Sequence, residues 1–113
     1  MNITVPFKRE ILNYIDDYSN DVKLTNSVNT LIKENNKVVG YNTDQAGFEI
    51  SLHENNWKLR NKKILILGAG GVTPSILLSF IQPKANNKIY LYNRTREKAE
   101  ELKKLLDKTV DLH

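Results

Sequence analysis

Cysteine is absent from this 113-residue chain, which excludes a disulfide framework and any thiolate metal site and fits a reducing compartment. Only two histidines occur, and no His, Asp or Glu cluster has ligand spacing, so no metal is expected. No apolar run approaches the roughly 20 residues that span a bilayer. Met1 is followed by Asn-Ile-Thr-Val-Pro rather than a basic segment and an apolar core, so no secretory leader is read either. The cytoplasm is the default location. Aromatic residues make up only 8%, and the net charge of +4 is dispersed among acids and asparagines. No basic cluster with interleaved aromatics exists, which argues against a nucleic-acid groove. A diffuse positive field would still favour a small anionic ligand.

What is present is concentrated in the second half. Lys63-Ile64-Leu65-Ile66-Leu67 is a short apolar run, read as a strand buried on both faces. It stops at Gly68-Ala69-Gly70-Gly71, and from Val72 a helical pattern resumes, with Thr73 and Pro74 at the helix start. Ile76, Leu77, Leu78, Phe80 and Ile81 make that helix apolar nearly all round, and Pro83 should end it. Lys88 to Tyr92 reads as a second strand, ending at Asn93-Arg94-Thr95. Strand, glycine turn, helix and strand form the opening of a dinucleotide-binding fold, where glycines let the backbone approach a pyrophosphate at a helix N-terminus. NAD-binding chains tend to carry an acid after the second strand, for the ribose hydroxyls. Asn93 and Arg94 stand there instead. A guanidinium suits a 2′-phosphate, so the cofactor expected is NADP. The bland alternative is a structural glycine turn, because the third glycine of the full pattern is replaced by Thr73.

The last helix should be capped by Thr95 and bury Ala99, Leu102, Leu105 and Leu106, with Glu100 and Lys104 paired one turn apart. Val110 to His113 looks like the start of a third strand. In the first half, Asn2 to Val5 is β-prone, and Ile11, Leu12, Ile15 and Tyr18 share one face of a helix over 8–18. Ser19 or Asn20 could cap a short helix to Thr25. Glu34-Asn35-Asn36 is read as the turn of a hairpin between 29–33 and 37–41. Thr43 or Asp44 should cap a helix bearing Phe48, Ile50, Leu52 and Trp57, and 55–61 should connect it to the glycine-turn strand. The fold class is α/β: the end of a substrate domain (1–43), a connecting helix and linker (44–61), and the first half of a Rossmann-type domain (62–113). The sheet lacks strands at both ends, so the chain reads as a fragment.

Three motifs in the first half carry polar groups at turns or strand ends: Asn2-Ile3-Thr4-Val5-Pro6-Phe7-Lys8, Ser27-Val28-Asn29-Thr30 and Gly40-Tyr41-Asn42-Thr43-Asp44. With the glycine turn and Asn93-Arg94-Thr95, in this order, they resemble shikimate dehydrogenase along essentially the whole chain. The resemblance implies NADPH-dependent reduction of 3-dehydroshikimate to shikimate in aromatic amino-acid biosynthesis. It implies that Lys8 transfers the proton and Asp44 is paired with it. Asn2, Thr4 and Asn29, with Lys8 and Asp44, would hold the substrate. Gly68, Ala69, Gly70, Gly71 and Val72 would form the pyrophosphate turn, and Asn93, Arg94, Thr95 and Lys98 the 2′-phosphate clamp. The expected partners are this small substrate and a second copy in a homodimer, with no nucleic acid or membrane.

The resemblance has gaps. Val72 stands where the family usually has Ala, and Lys98 where it often has Arg. Asn26-Ser27 replaces a common Gly-Ala. A Ser-x-Ser stretch that precedes the family's first motif, and a downstream glutamine, have no counterpart in this chain. The alternatives are a quinate/shikimate paralogue, often NAD-dependent and disfavoured by Arg94, or a non-catalytic NADP-binding fragment. Each residue also has an ordinary reading: Lys8 as a first-turn helix lysine, Asp44 as an N-cap, Asn29 as a strand-end turn residue.

Overall fold

A computed structural model describes residues 1–81 and 85–106. The expected helix over 8–18 is not there. A 3₁₀ helix covers Glu10–Tyr14 only, and strand β1 follows at Asp17–Tyr18. The spacing of Ile11, Leu12 and Ile15 suits a helix, but tertiary pairing overrides it. Asp16 N–H donates to the Val38 carbonyl (2.9 Å), and the Asp16 carboxylate accepts from Val38 N–H (2.6 Å), which draws the segment out as a strand edge. Asn2 to Val5 contributes only an isolated antiparallel bridge between Asn2 and Thr30.

Helix α1 runs over Asn20–Thr25, with Ser19 at its N-cap but no side-chain capping bond. It ends at Asn26 in the left-handed conformation (φ 52°), the role expected for Asn in place of Gly. Strands β2 (Thr30–Glu34) and β3 (Lys37–Tyr41) form the hairpin. Asn35 and Asn36 both have positive φ, and Glu34 belongs to the strand, opposite Lys37. Strand β1 lies parallel to β3 on its other edge, giving the order β1-β3-β2. The core beneath is Val22, Val28 and Leu31, with Ile3, Ile11, Leu12, Ile15 and Val38 against it.

Helix α2 spans Asp44–Glu54, so Trp57 lies beyond its end, 68% exposed. Strands β4 (Lys63–Leu67) and β5 (Lys88–Tyr92) pair in parallel and in register, with helix α3 (Thr73–Phe80) between them in sequence. Helix α4 follows at Arg96–Leu106. Strand β4 is not buried on both faces as expected. Ile64 and Ile66 turn inward, while Leu65 and Leu67 are 64% and 73% exposed. The run is continuously apolar, but among the described residues the helices cover one side of it. Helix α3 stops at Phe80. The expected stop at Pro83 and the expected third strand lie outside the described residues. On α4 the pair formed is Arg96–Glu100 (2.8 Å) rather than Glu100–Lys104, and both side chains are exposed.

The two halves share their packing. Leu52 and Phe48 of α2 join Leu77, Phe80, Ile89, Leu102 and Leu106 in one core, with Phe48 edge-on to Phe80 (centroids 5.7 Å apart). Helix α1 of the β-hairpin half also packs against α3, the helix that follows the glycine turn.

Candidate active site

Lys8 sits at the end of a turn fixed by two backbone bonds: Phe7 N–H to the Thr4 carbonyl (2.9 Å) and Val28 N–H to the Lys8 carbonyl (2.8 Å). Its Nζ donates to Asp44 Oδ2 at 2.9 Å. The other oxygen, Oδ1, accepts from Asn29 Nδ2 at 2.9 Å, and Asn29 Nδ2 also approaches Thr43 Oγ1 (3.0 Å). Three residues far apart in sequence, Lys8, Asn29 and Asp44, therefore meet in one cluster. The Lys8 and Asp44 side chains keep only 16% and 22% of their surface exposed. A charge-assisted pair this secluded is fixed in orientation while water still reaches it.

Neither Thr43 nor Asp44 caps α2 with its side chain. Instead Asn29 Oδ1 accepts from Thr43 N–H (3.1 Å) and Asn42 Oδ1 from Asp44 N–H (3.0 Å). This frees the Asp44 carboxylate for Lys8. Asn42 was quoted in a motif but given no role by sequence reasoning. It is 5% exposed and bonds to three residues besides Asp44, in two separate segments. The available signal was an Asn placed two residues before a helix, where Asx side chains reach forward to backbone N–H groups.

The other proposed substrate residues lie farther out. Asn2 and Thr4 run beside β2, where Ile3 N–H donates to the Asn29 carbonyl (2.8 Å), and they line a shallow groove with Phe7 and Tyr14. The structure does not join them to the Lys8 cluster by a side-chain hydrogen bond.

A cleft of about 430 Å³ separates the halves, lined by Lys8, Arg9 and Ser27 on one side and by Gly70, Gly71 and Lys98 on the other. Gly68 has φ 109°, a backbone that an L side chain rarely adopts, and its N–H is tied to the Tyr92 carbonyl (2.8 Å). Gly70 and Gly71 need no such freedom, and a Cβ on either would meet nothing within 4 Å. Their small size serves no internal packing; it leaves bare backbone facing the cleft beside the N-terminus of α3. Thr73 Oγ1 closes the turn on the Gly68 carbonyl (3.2 Å). Val72 is the N-cap residue of α3.

Asn93 is spent on the turn rather than left open. Its Oδ1 accepts from Ala69 N–H (3.1 Å) and its Nδ2 donates to the Thr95 carbonyl (2.7 Å). Arg94 and Thr95 are exposed at the end of β5, and Lys98 is on the first turn of α4 facing the cleft. The arrangement offers backbone donors and a helix N-terminus for an anion, with cations at its rim. Among the described residues no group of three His, Asp or Glu could hold a metal, and no helix is long and apolar enough to cross a membrane. On β3, the Tyr41 hydroxyl donates to Glu34 Oε1 (2.8 Å), and that bond raises its pKa above the usual phenol value.

Residues 50–113 match the family described as shikimate/quinate 5-dehydrogenase, which is more than half of the chain. The chain belongs to that family. It is 49% identical over 104 residues to an NADP(+) shikimate dehydrogenase of Pelagibacter ubique, covering 92% of this chain and 39% of that protein. Its backbone superposes on the shikimate dehydrogenase of Aquifex aeolicus with a TM-score of 0.83 at 41% identity, covering 92% of this chain and 38% of the other. A shikimate dehydrogenase solved in complex with NADP+ gives a TM-score of 0.84 at 39% identity, over 95% of this chain and 37% of that one. The chain thus spans about two fifths of the length of these relatives.

Proposed function

We propose that this chain carries the catalytic pair and the cofactor turn of an NADP-dependent shikimate dehydrogenase, acting on 3-dehydroshikimate and shikimate. The observation that carries the reading is the Lys8–Asp44–Asn29 cluster, with Lys8 lining the same cleft as Gly70 and Gly71. Residues 1–43 then belong to the substrate domain, 44–61 connect, and 62–113 open the cofactor domain.

The residues fit the cofactor. Within the turn Gly68 to Val72, the backbone N–H groups of Gly70, Gly71 and Val72 would face the pyrophosphate, since those of Gly68 and Ala69 are taken by Tyr92 and Asn93. Arg94 and Lys98 would hold the 2′-phosphate, Lys98 as a point charge. Asn93 supports both by tethering Ala69 to Thr95. When bound, NADPH supplies the hydride. The chain's own residues manage the oxygen: Lys8 Nζ gives a proton to the carbonyl oxygen in reduction and accepts it back in oxidation. Asp44 Oδ2 holds Nζ on the cleft side, and Asn29 Nδ2 prevents the carboxylate from rotating away. Asn29, Thr4 and Asn2 would read the substrate's hydroxyls, where polar groups built for hydrogen bonding discriminate sharply. A homodimer and a cytoplasmic setting complete the proposal.

The test is shikimate-dependent reduction of NADP+ by the 113-residue chain, with NAD+ as comparison and NADPH binding followed by fluorescence. Turnover preferring NADP+ supports the full reading. Binding without turnover assigns these 113 residues a non-catalytic NADP-binding role. Absence of binding refutes both.

A further inference from the structure

Asn42 is placed to do more than cap a helix. Its Nδ2 donates to Thr25 Oγ1, to the Ser27 carbonyl and to Ser75 Oγ, each at 3.1 Å, and its Oδ1 accepts from Asp44 N–H at 3.0 Å. Thr25 and Ser27 belong to the hairpin half, at the end of α1 and just after it. Ser75 lies on α3, four residues past Gly71, and is fully buried. One side chain therefore touches the helix that starts at the glycine turn and the backbone that presents Asp44 to Lys8.

We propose that Asn42 is a positioning residue that couples the occupancy of the glycine turn to the Lys8–Asp44 pair. This rests on the reading of that pair as the acid–base group. The bonding has a useful surplus. An amide nitrogen has two protons, and here it faces three acceptors. Thr25 Oγ1 cannot relieve this by donating, since its proton goes to the Asp21 carbonyl (2.7 Å). Removing one acceptor thus leaves both protons satisfied, and no buried donor is orphaned. Ser75→Ala cuts the bond that crosses to α3. Thr25→Val cuts an equivalent bond that stays within the hairpin half, so it serves as the control. A role as a mere cap would respond to both alike.

The experiment uses the 113-residue chain and amide NMR. Without ligand, hydrogen exchange at Asp44 N–H should accelerate about fivefold in Ser75→Ala, because Asn42 loses its tie to α3 while both amide protons stay bonded within the hairpin half. In Thr25→Val it should change less than about twofold. NADP+ should shift the Asp44 amide in the unaltered chain and in Thr25→Val. In Ser75→Ala that shift should fall at least threefold, while the Kd for NADP+ stays within about twofold. Equal exchange in all three chains, or equal shifts of Asp44 in the two variants, overturns the proposal. If NADP+ moves no amide at millimolar concentration, the cofactor reading fails instead, and the ligand-free exchange still decides the role of Asn42.

Discussion

Asp44→Ala exposes what the Lys8–Asp44 pair contributes before any reaction is measured. The substitution removes one carboxylate that accepts from Lys8 Nζ and from Asn29 Nδ2, each at 2.9 Å. Breaking a fully buried ion pair costs roughly 3–5 kcal/mol, whereas exposed pairs contribute less than about 1. With 16% and 22% of the two side chains still reached by solvent, the discounted cost is about 2 kcal/mol. That corresponds to a fall of about 8 °C in Tm for a domain of this size. Lys8→Met should cost about 1 kcal/mol, since Asp44 keeps its bond to Asn29 and gains water. The double variant should therefore be more stable than the two losses summed, with a coupling of about 1 kcal/mol in urea unfolding. The coupling should survive in high salt better than that of the exposed Arg96–Glu100 pair, because secluded charges are screened less. A coupling below about 0.3 kcal/mol would refute the argument: the pair would then be an ordinary surface contact with no fixed geometry to offer a substrate.

Gly40→Ala should destabilise the chain by about 1–3 kcal/mol in urea unfolding, the range for overpacking. A Cβ there would stand 2.7 Å from Ile15 Cδ1 and 3.0 Å from Val28 Cγ2, so an unchanged midpoint would mean that the hairpin core is loose. Ser27→Ala should leave the chain as stable or raise stability by up to about 1 kcal/mol, because the Ser27 hydroxyl is buried without a partner; a clear loss would point to a bond that this hydroxyl makes. Arg94→Ala should weaken NADP+ binding at least tenfold and NAD+ binding less than twofold, on the order of one charge-assisted contact; equal weakening of both cofactors removes Arg94 from the 2′-phosphate. Tyr41 should titrate above an ordinary phenol when phenolate absorbance is compared with that of Tyr41→Phe, since its bond to Glu34 favours the protonated form. The stability tied to it is present below the unfolded pKa and lost as pH rises through the folded one.

Local signals were legible wherever the chain's own backbone decides the outcome. The Asn35–Asn36 turn, the left-handed Asn26 and the Pro74 helix start follow from φ preferences that no neighbour alters. Six of the fourteen asparagines take positive φ: Asn26, Asn35, Asn36, Asn56, Asn61 and Asn86. The abundance of asparagine is therefore in part turn chemistry, with Asn occupying conformations where glycine is the usual residue. The segment from Lys8 to Tyr18 departs from the expected helix because its apolar spacing satisfies two structures. Only the pairing of Asp16 with Val38, 22 residues away, selects the strand.

The site followed the same division. Lys8, Asn29 and Asp44 were named from motif resemblance, and nothing in their spacing foretold that one carboxylate would accept from both partners. The buried Asn42 was passed over because its value lies in bonds to residues 15, 17 and 33 positions away. The exposed Leu65 and Leu67 make the converse point. Their sequence reads as a strand covered on both faces, and the described helices cover one. Among the described residues that face of β4 stays open, and Gly70 and Gly71 leave bare backbone open at the cleft beside a helix N-terminus. Lys8→Met separates cofactor binding from the proton transfer proposed for this side chain: it should leave the glycine turn's affinity for NADP+ unchanged within about twofold while abolishing that transfer, because Lys8 borders the cleft but is not part of the turn.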